Sequence, residues 1–263
     1  MIRFFLIAYF TAAASLCALE LPSVRVEEKG FEASRADISK LLASTTRELW
    51  LHFPGYELEK IVVTRGKKGP ITLFDRNLRK EIVVRLDTHG TYWSQYAYQW
   101  AHEFCHILCG YRPDGRDNKW FEETLCELAS VYALRRMSES WEKDPPYPNW
   151  KGYRNALKKY ADDVIESREK VEFEKLGDYY QKHKSELRKD ATKRELNGAM
   201  AVAMLSVFEK EPEHWNAIRY LNVTPAEKGI TLRQYFAKWY KATPKEHQPF
   251  VLKIAKAYGV ASS

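Results

Sequence analysis

With 263 residues, 45% of them apolar, the chain can build one large domain or two small ones around a real core, and its composition excludes a disordered protein. The formal charge of +7 arises from 42 Lys and Arg interleaved with 35 Asp and Glu, as in "YADDVIESREKVEFEKLGDYYQKHKSELRKD". That pattern reads as solvated helix surface and not as a nucleic-acid footprint, because no basic run with stacking aromatics accompanies it.

In chain order, "MIRFFLIAYFTAAASLCALE" has one cation at Arg3, an apolar stretch and small residues around Ser15 to Ala18, the pattern of a secretory signal peptide cut after Ala18. The stretch is shorter than the ~20 residues that span a bilayer, so no stable membrane span is expected after cleavage. "SVRVEE" alternates like a strand, and "SRADISKLLASTTRELWLHF" has helical spacing. Three β-type runs follow: "LEKIVVTR", "ITLFD" and "KEIVVRLD". From Tyr92 onward only helical patterns occur, broken at 113–115, at "DPPYPNW" and at "NVTPAEKGI". The expected fold class is α+β: a mixed sheet with its helices over 19–140, then an all-α part over 141–263 completing the same domain.

"TYWSQYAYQWAHEFCHILCG" carries a continuous apolar stripe through Ala97, Trp100, Ala101, Phe104 and Leu108, with Gly110 placed to end the helix. His102 and His106 lie one turn apart on one face, the spacing at which two imidazoles share a tetrahedral cation. Glu103 lies about 100° round the helix, within reach of a metal-bound water. From composition alone a His-Glu-x-x-His arises roughly 0.02 times per chain of this kind, so a third ligand is needed to support the reading.

"KWFEETLCELASVYALRR" is apolar on nearly every side, which marks a buried helix. Glu123 and Glu127 project together from it, and buried carboxylates are costly unless paired or bound to metal. Glu123 is therefore the expected third ligand, and Glu127 the acceptor for the free ring nitrogen of His102. The competing reading makes Glu122, Glu123 and Glu127 the solvated face of a surface helix.

"HEFCH" and "WFEETLCE" together resemble the gluzincins, the zinc peptidases typified by thermolysin and the aminopeptidase N group. The latter's Trp-x-Asn-Glu-Gly matches at Trp120 and Glu123 and departs at Glu122 and Thr124; thermolysin's acidic residue four after its ligand matches Glu127. The likeness is specific over about residues 81–135. It implies a zincin-like catalytic lobe, one Zn2+ per chain, and a peptide or protein substrate lying along an edge strand, for which 81–86 is the candidate, with an interior strand as the alternative. "RELNGAMAVAM" is similar to the aminopeptidase stretch Tyr-x-x-Gly-Ala, but Glu195 stands where the transition-state tyrosine would be. Tyr179, Tyr180 and His183 are nearby substitutes, and the Gly-Ala-Met-Glu-Asn segment that holds a substrate N-terminus is lacking.

The expectation is an exported zinc metallopeptidase in which zinc activates a water and Glu103 carries its proton to the leaving amine. Its rivals are a catalytically silent binding protein keeping zinc for structure, and a hydrolase of other carbonyl compounds using the same site. Cys105, Cys109 and Cys126 permit one disulfide, Cys109 with Cys126, or buried free thiols. Trp215, Tyr220, Tyr235, Phe236 and Trp239 are spaced for helix packing. His52, His89, His214 and His247 have no partner spacing.

Overall fold

A computed structural model describes residues 19–112, 117–225 and 227–261. The stretch 1–18 read as a signal peptide, and the helix break expected at 113–115, lie outside the described residues. The β-branched runs form a four-stranded sheet: β1 (Val24–Val26), β2 (Ile61–Arg65), β3 (Ile71–Thr72) and β4 (Ile82–Leu86). Its order is β1-β2-β4-β3, with β1, β2 and β4 parallel and β3 antiparallel to β4. β1 is joined to β2 by α1 (Arg35–Trp50), which begins where the Ser34 side chain accepts from the Asp37 amide at 3.2 Å.

The sheet corrects one expectation. The strand over 81–86 is interior, flanked by β2 and β3, and the edge belongs to β3, with Thr72 opposite Val84 and Ile71 opposite Arg85. Ile82, Val84 and Leu86 are all buried, as an interior strand requires. The "ITLFD" run contributes only two strand residues, although the Leu73 amide still bonds the Val83 carbonyl at 2.9 Å.

After β4 the described residues are helical: α2 (Trp93–Leu108), α3 (Lys119–Ser140), α4 (Arg154–Glu166), α5 (Leu176–Lys189), α6 (Arg194–Lys210), α7 (Leu232–Ala242) and α8 (Gln248–Ala257). The fold is mixed α/β with helix predominant. Among the described residues no helix is long and apolar enough to cross a membrane. α2 ends in a Schellman motif: Gly110 adopts φ 65°, its amide bonds the Ile107 carbonyl, and the Tyr111 amide bonds that of His106.

α3 is the central helix. It packs against α2, α4 and α6, and every residue from Trp120 to Leu134 is buried. One apolar cluster runs from Val26 to Val260, so the sheet-bearing part and the helical part share a core through α3. Trp215, Tyr235, Phe236 and Trp239 enter that core, and Tyr220 packs at its margin.

Candidate metal centre

α2 and α3 pack side by side, with the Ser130 hydroxyl donating to the Tyr98 carbonyl at 2.9 Å and the Cys105 thiol to the Leu125 carbonyl at 3.5 Å. This contact brings "HEFCH" against "WFEETLCE" at the base of a cleft of about 710 Å³. The Nε2 atoms of His102 and His106 stand 3.4 and 3.6 Å from the same oxygen, Glu123 Oε2. Donor atoms around a tetrahedral ion with bonds of about 2.0–2.2 Å sit roughly 3.3–3.6 Å apart, and the separation of each histidine Nε2 from Glu123 Oε2 falls in that range.

The other ring nitrogens face carboxylates. His106 Nδ1 lies 2.6 Å from Glu122 Oε1, and His102 Nδ1 lies 3.7 Å from Glu127 Oε1. Each imidazole thus faces carboxylates with both ring nitrogens, His106 through a hydrogen bond at Nδ1 and His102 at the longer ion-pair distance. Glu122 is held in turn by the Asn222 amide at 2.7 Å, and Asn222 accepts from the Tyr235 hydroxyl at 3.2 Å. Glu127 receives the Tyr98 hydroxyl and faces Arg168 at 3.7 Å. Glu122, Glu123 and Glu127 are 1%, 7% and 3% exposed, which rules out a solvated face.

So many buried carboxylates leave a strong imprint on protonation. Burial alone would disfavour charge on Glu123, yet hydrogen bonds from His102 and His106 prevail and hold its carboxyl far below the usual range. His106 is likewise opposed by burial, but Glu122 and Glu123 raise it well above an ordinary histidine.

Glu103 is 3% exposed and lines the cleft. Its Oε2 accepts the Thr72 hydroxyl at 2.8 Å, which ties it to the edge strand β3. His102, His106 and Cys126 form a group whose donor atoms all lie within 4.8 Å of one another and could hold a metal ion. Cys126 is the thiol that sequence spacing had offered to a disulfide. The three described cysteines are free and buried, and burial pushes each thiol up, so the Cys109–Cys126 bond is not formed.

The substitutes for the absent tyrosine lie elsewhere. Tyr180 stacks on Trp120 at 4.9 Å, while Tyr179 bonds Glu169 and packs against His183; none of the three lines the cleft. The cleft is also lined by Asp190, Thr192 and Lys193 between α5 and α6 and by Arg194 and Glu195 at the start of α6. Gly198 has its own task, since a Cβ there would collide with the Arg168 guanidinium, which crosses α6 on its way to Glu127. Two histidines called partnerless are a pair: His214 Nδ1 and His247 Nδ1 are 2.9 Å apart, and His52 bonds the Tyr132 hydroxyl at 2.9 Å.

The sequence reading did not place Glu122, Thr72, Cys126 or Arg168 at the metal centre. For Glu122 a signal existed, because it neighbours Glu123 in the same apolar helix. For Thr72, 31 positions from Glu103, none did. Comparison with models of known protein families, with curated proteins and with solved structures finds no match.

Proposed function

We propose that the chain is an exported, zinc-dependent metallopeptidase of gluzincin type, hydrolysing peptide bonds in a zincin-like lobe. One observation carries the reading: both histidine Nε2 atoms converge on Glu123 Oε2, at 3.4 and 3.6 Å, while both Nδ1 atoms are backed by carboxylates. His102, His106 and Glu123 would hold the ion, leaving one position open to the cleft. Bound zinc would supply a Lewis acid that lowers the pKa of water toward ~7.

Glu103 acts as general base and then general acid, taking the proton of the attacking water and handing it to the leaving amine. Thr72 keeps the Glu103 carboxylate in one orientation. Because Thr72 belongs to the antiparallel edge strand, an extended peptide adding to β3 would run past the base. That role passes to β3 from the interior strand over 81–86.

The test is metal content by elemental mass spectrometry beside turnover of a peptide library. The parent is expected to carry about one zinc, and His106→Ala and Glu123→Ala little. Glu103→Gln is expected to keep zinc and lose turnover by about 10²–10⁴-fold. A folded parent free of zinc, or Glu103→Gln turning over at the parental rate, overturns the reading.

A second reading, a silent zincin-fold binding protein keeping structural zinc, has support in Cys126. A thiolate joining His102, His106 and Glu123 would complete four protein donors and close the shell. It predicts stoichiometric zinc that is lost in Cys126→Ser, with no turnover in the parent.

A further inference from the structure

We propose that Lys119 and Arg194 are the charge-stabilising pair of the cleft, taking the place of the tyrosine whose position Glu195 occupies. The inference rests on the peptidase reading. Lys119 is the first residue of α3 and Arg194 the first residue of α6, and neither helix has a side-chain cap. A cation in the first turn opposes the helix dipole, so both residues stand where helix stability disfavours them. Both line the same cleft.

Lys119 Nζ lies 3.6 Å from Glu123 Oε1, and Arg194 Nε lies 3.4 Å from Glu127 Oε1. Glu123 and Glu127 are one turn apart on α3, so the two cations bracket the histidine pair from its two ends. The carboxylates do not depend on them. Glu123 Oε2 is met by both imidazoles, and Glu127 is met by Tyr98, Arg168 and His102. The lysine is 34% exposed and the arginine 58%, which leaves ammonium and guanidinium hydrogens free toward the lumen.

The chemistry needs such donors. As the oxygen of water bonds to the scissile carbonyl carbon, the carbonyl π pair moves onto oxygen and leaves an oxyanion. That pair returns as the C–N bond breaks, and Glu103 delivers the water proton to nitrogen, giving a carboxylic acid and an amine. N–H donors that tighten on the oxyanion lower the barrier without altering ground-state binding.

The experiment uses the zinc-loaded full chain, its Lys119→Met and Arg194→Met variants, and Lys119→Arg as the charge-keeping control. Turnover of the peptide library, zinc content and calorimetric titration with inorganic phosphate, a tetrahedral oxyanion, are read on each. Each methionine variant is expected to lose about 10²–10³-fold in kcat with KM within about threefold, to keep its zinc, and to bind phosphate at least about tenfold more weakly; Lys119→Arg is expected to recover most of both. Parental kcat in both methionine variants overturns the proposal. So does zinc loss in step with activity, which would make the cations supports of Glu123 and Glu127. Should the parent hold zinc but cleave no peptide, the peptidase reading fails, and phosphate alone decides: unchanged affinity in both variants overturns the cation pair, and weakened affinity sustains it as an oxyanion site.

Discussion

α3 has an acidic side and an aromatic side to its chemistry, without a division into opposite faces: Glu122, Glu123 and Glu127 are buried toward α2 and the start of α6, while Trp120 and Phe121 in its first turn enter an aromatic cluster with Tyr180, Phe236, Trp239 and Tyr258. The acidic side gathers ionised groups whose removal from water costs several kcal/mol each and is only partly repaid by pairing. The aromatic side buries large rings, with Phe121 4.8 Å from Phe236 and 5.7 Å from Trp239, and gains both area and ring-edge contacts. The contrast teaches that fold stability and the proposed metal site rest on different side chains of one helix. A substitution on one side should spare the other.

Phe121→Ala is the largest breach on the packing side. It is expected to cost about 3–5 kcal/mol in urea denaturation while the folded fraction keeps its zinc; loss of zinc at unchanged stability would show the two sides are not separable. Next comes acid. Burial, aided by the Arg136 charge, lowers His52 to about 4, and its ring meets Tyr132 on the later turns of α3. A histidine lowered in the folded state favours folding fully above its unfolded value of about 6.5, and that stability is lost as pH falls toward 4. The parent should therefore lose at most about 3 kcal/mol more than His52→Gln across that window, followed by melting curves in chelator. Parallel curves would remove His52 as the cause.

On the acidic side, Glu122→Gln weakens the grip on His106 Nδ1 and is expected to reduce zinc affinity about 10–100-fold in chelator competition. Its metal-free melting curve should move far less than that of Phe121→Ala. The smallest effect belongs to Thr72→Val, which frees the Glu103 carboxylate from β3. About a tenfold fall in kcat at full zinc occupancy is expected, with recovery in Thr72→Ser; equal loss in the serine variant would point to packing instead.

What the amino-acid order alone determined is whatever depends on neighbours along one helix. The 3.6-residue period puts His102 beside His106 and Glu123 beside Glu127, Gly110 supplies the positive φ that ends α2, and the all-round apolar character of α3 announces that its glutamates are buried. The paired strands and the long helical part were legible for the same reason, since alternation and helical spacing are local. Tertiary structure decided what depends on elements meeting from afar. Sheet order gave the edge to β3 and with it set Thr72 on Glu103; the packing of α2 on α3 chose Glu122 for His106 and left three thiols unlinked; the crossing of Arg168 over Gly198 brought a cation to Glu127. None of these pairs shares a helical turn or a strand register, so no periodicity records them: they exist only where the apolar faces of separate elements have come together and fixed what their polar neighbours touch.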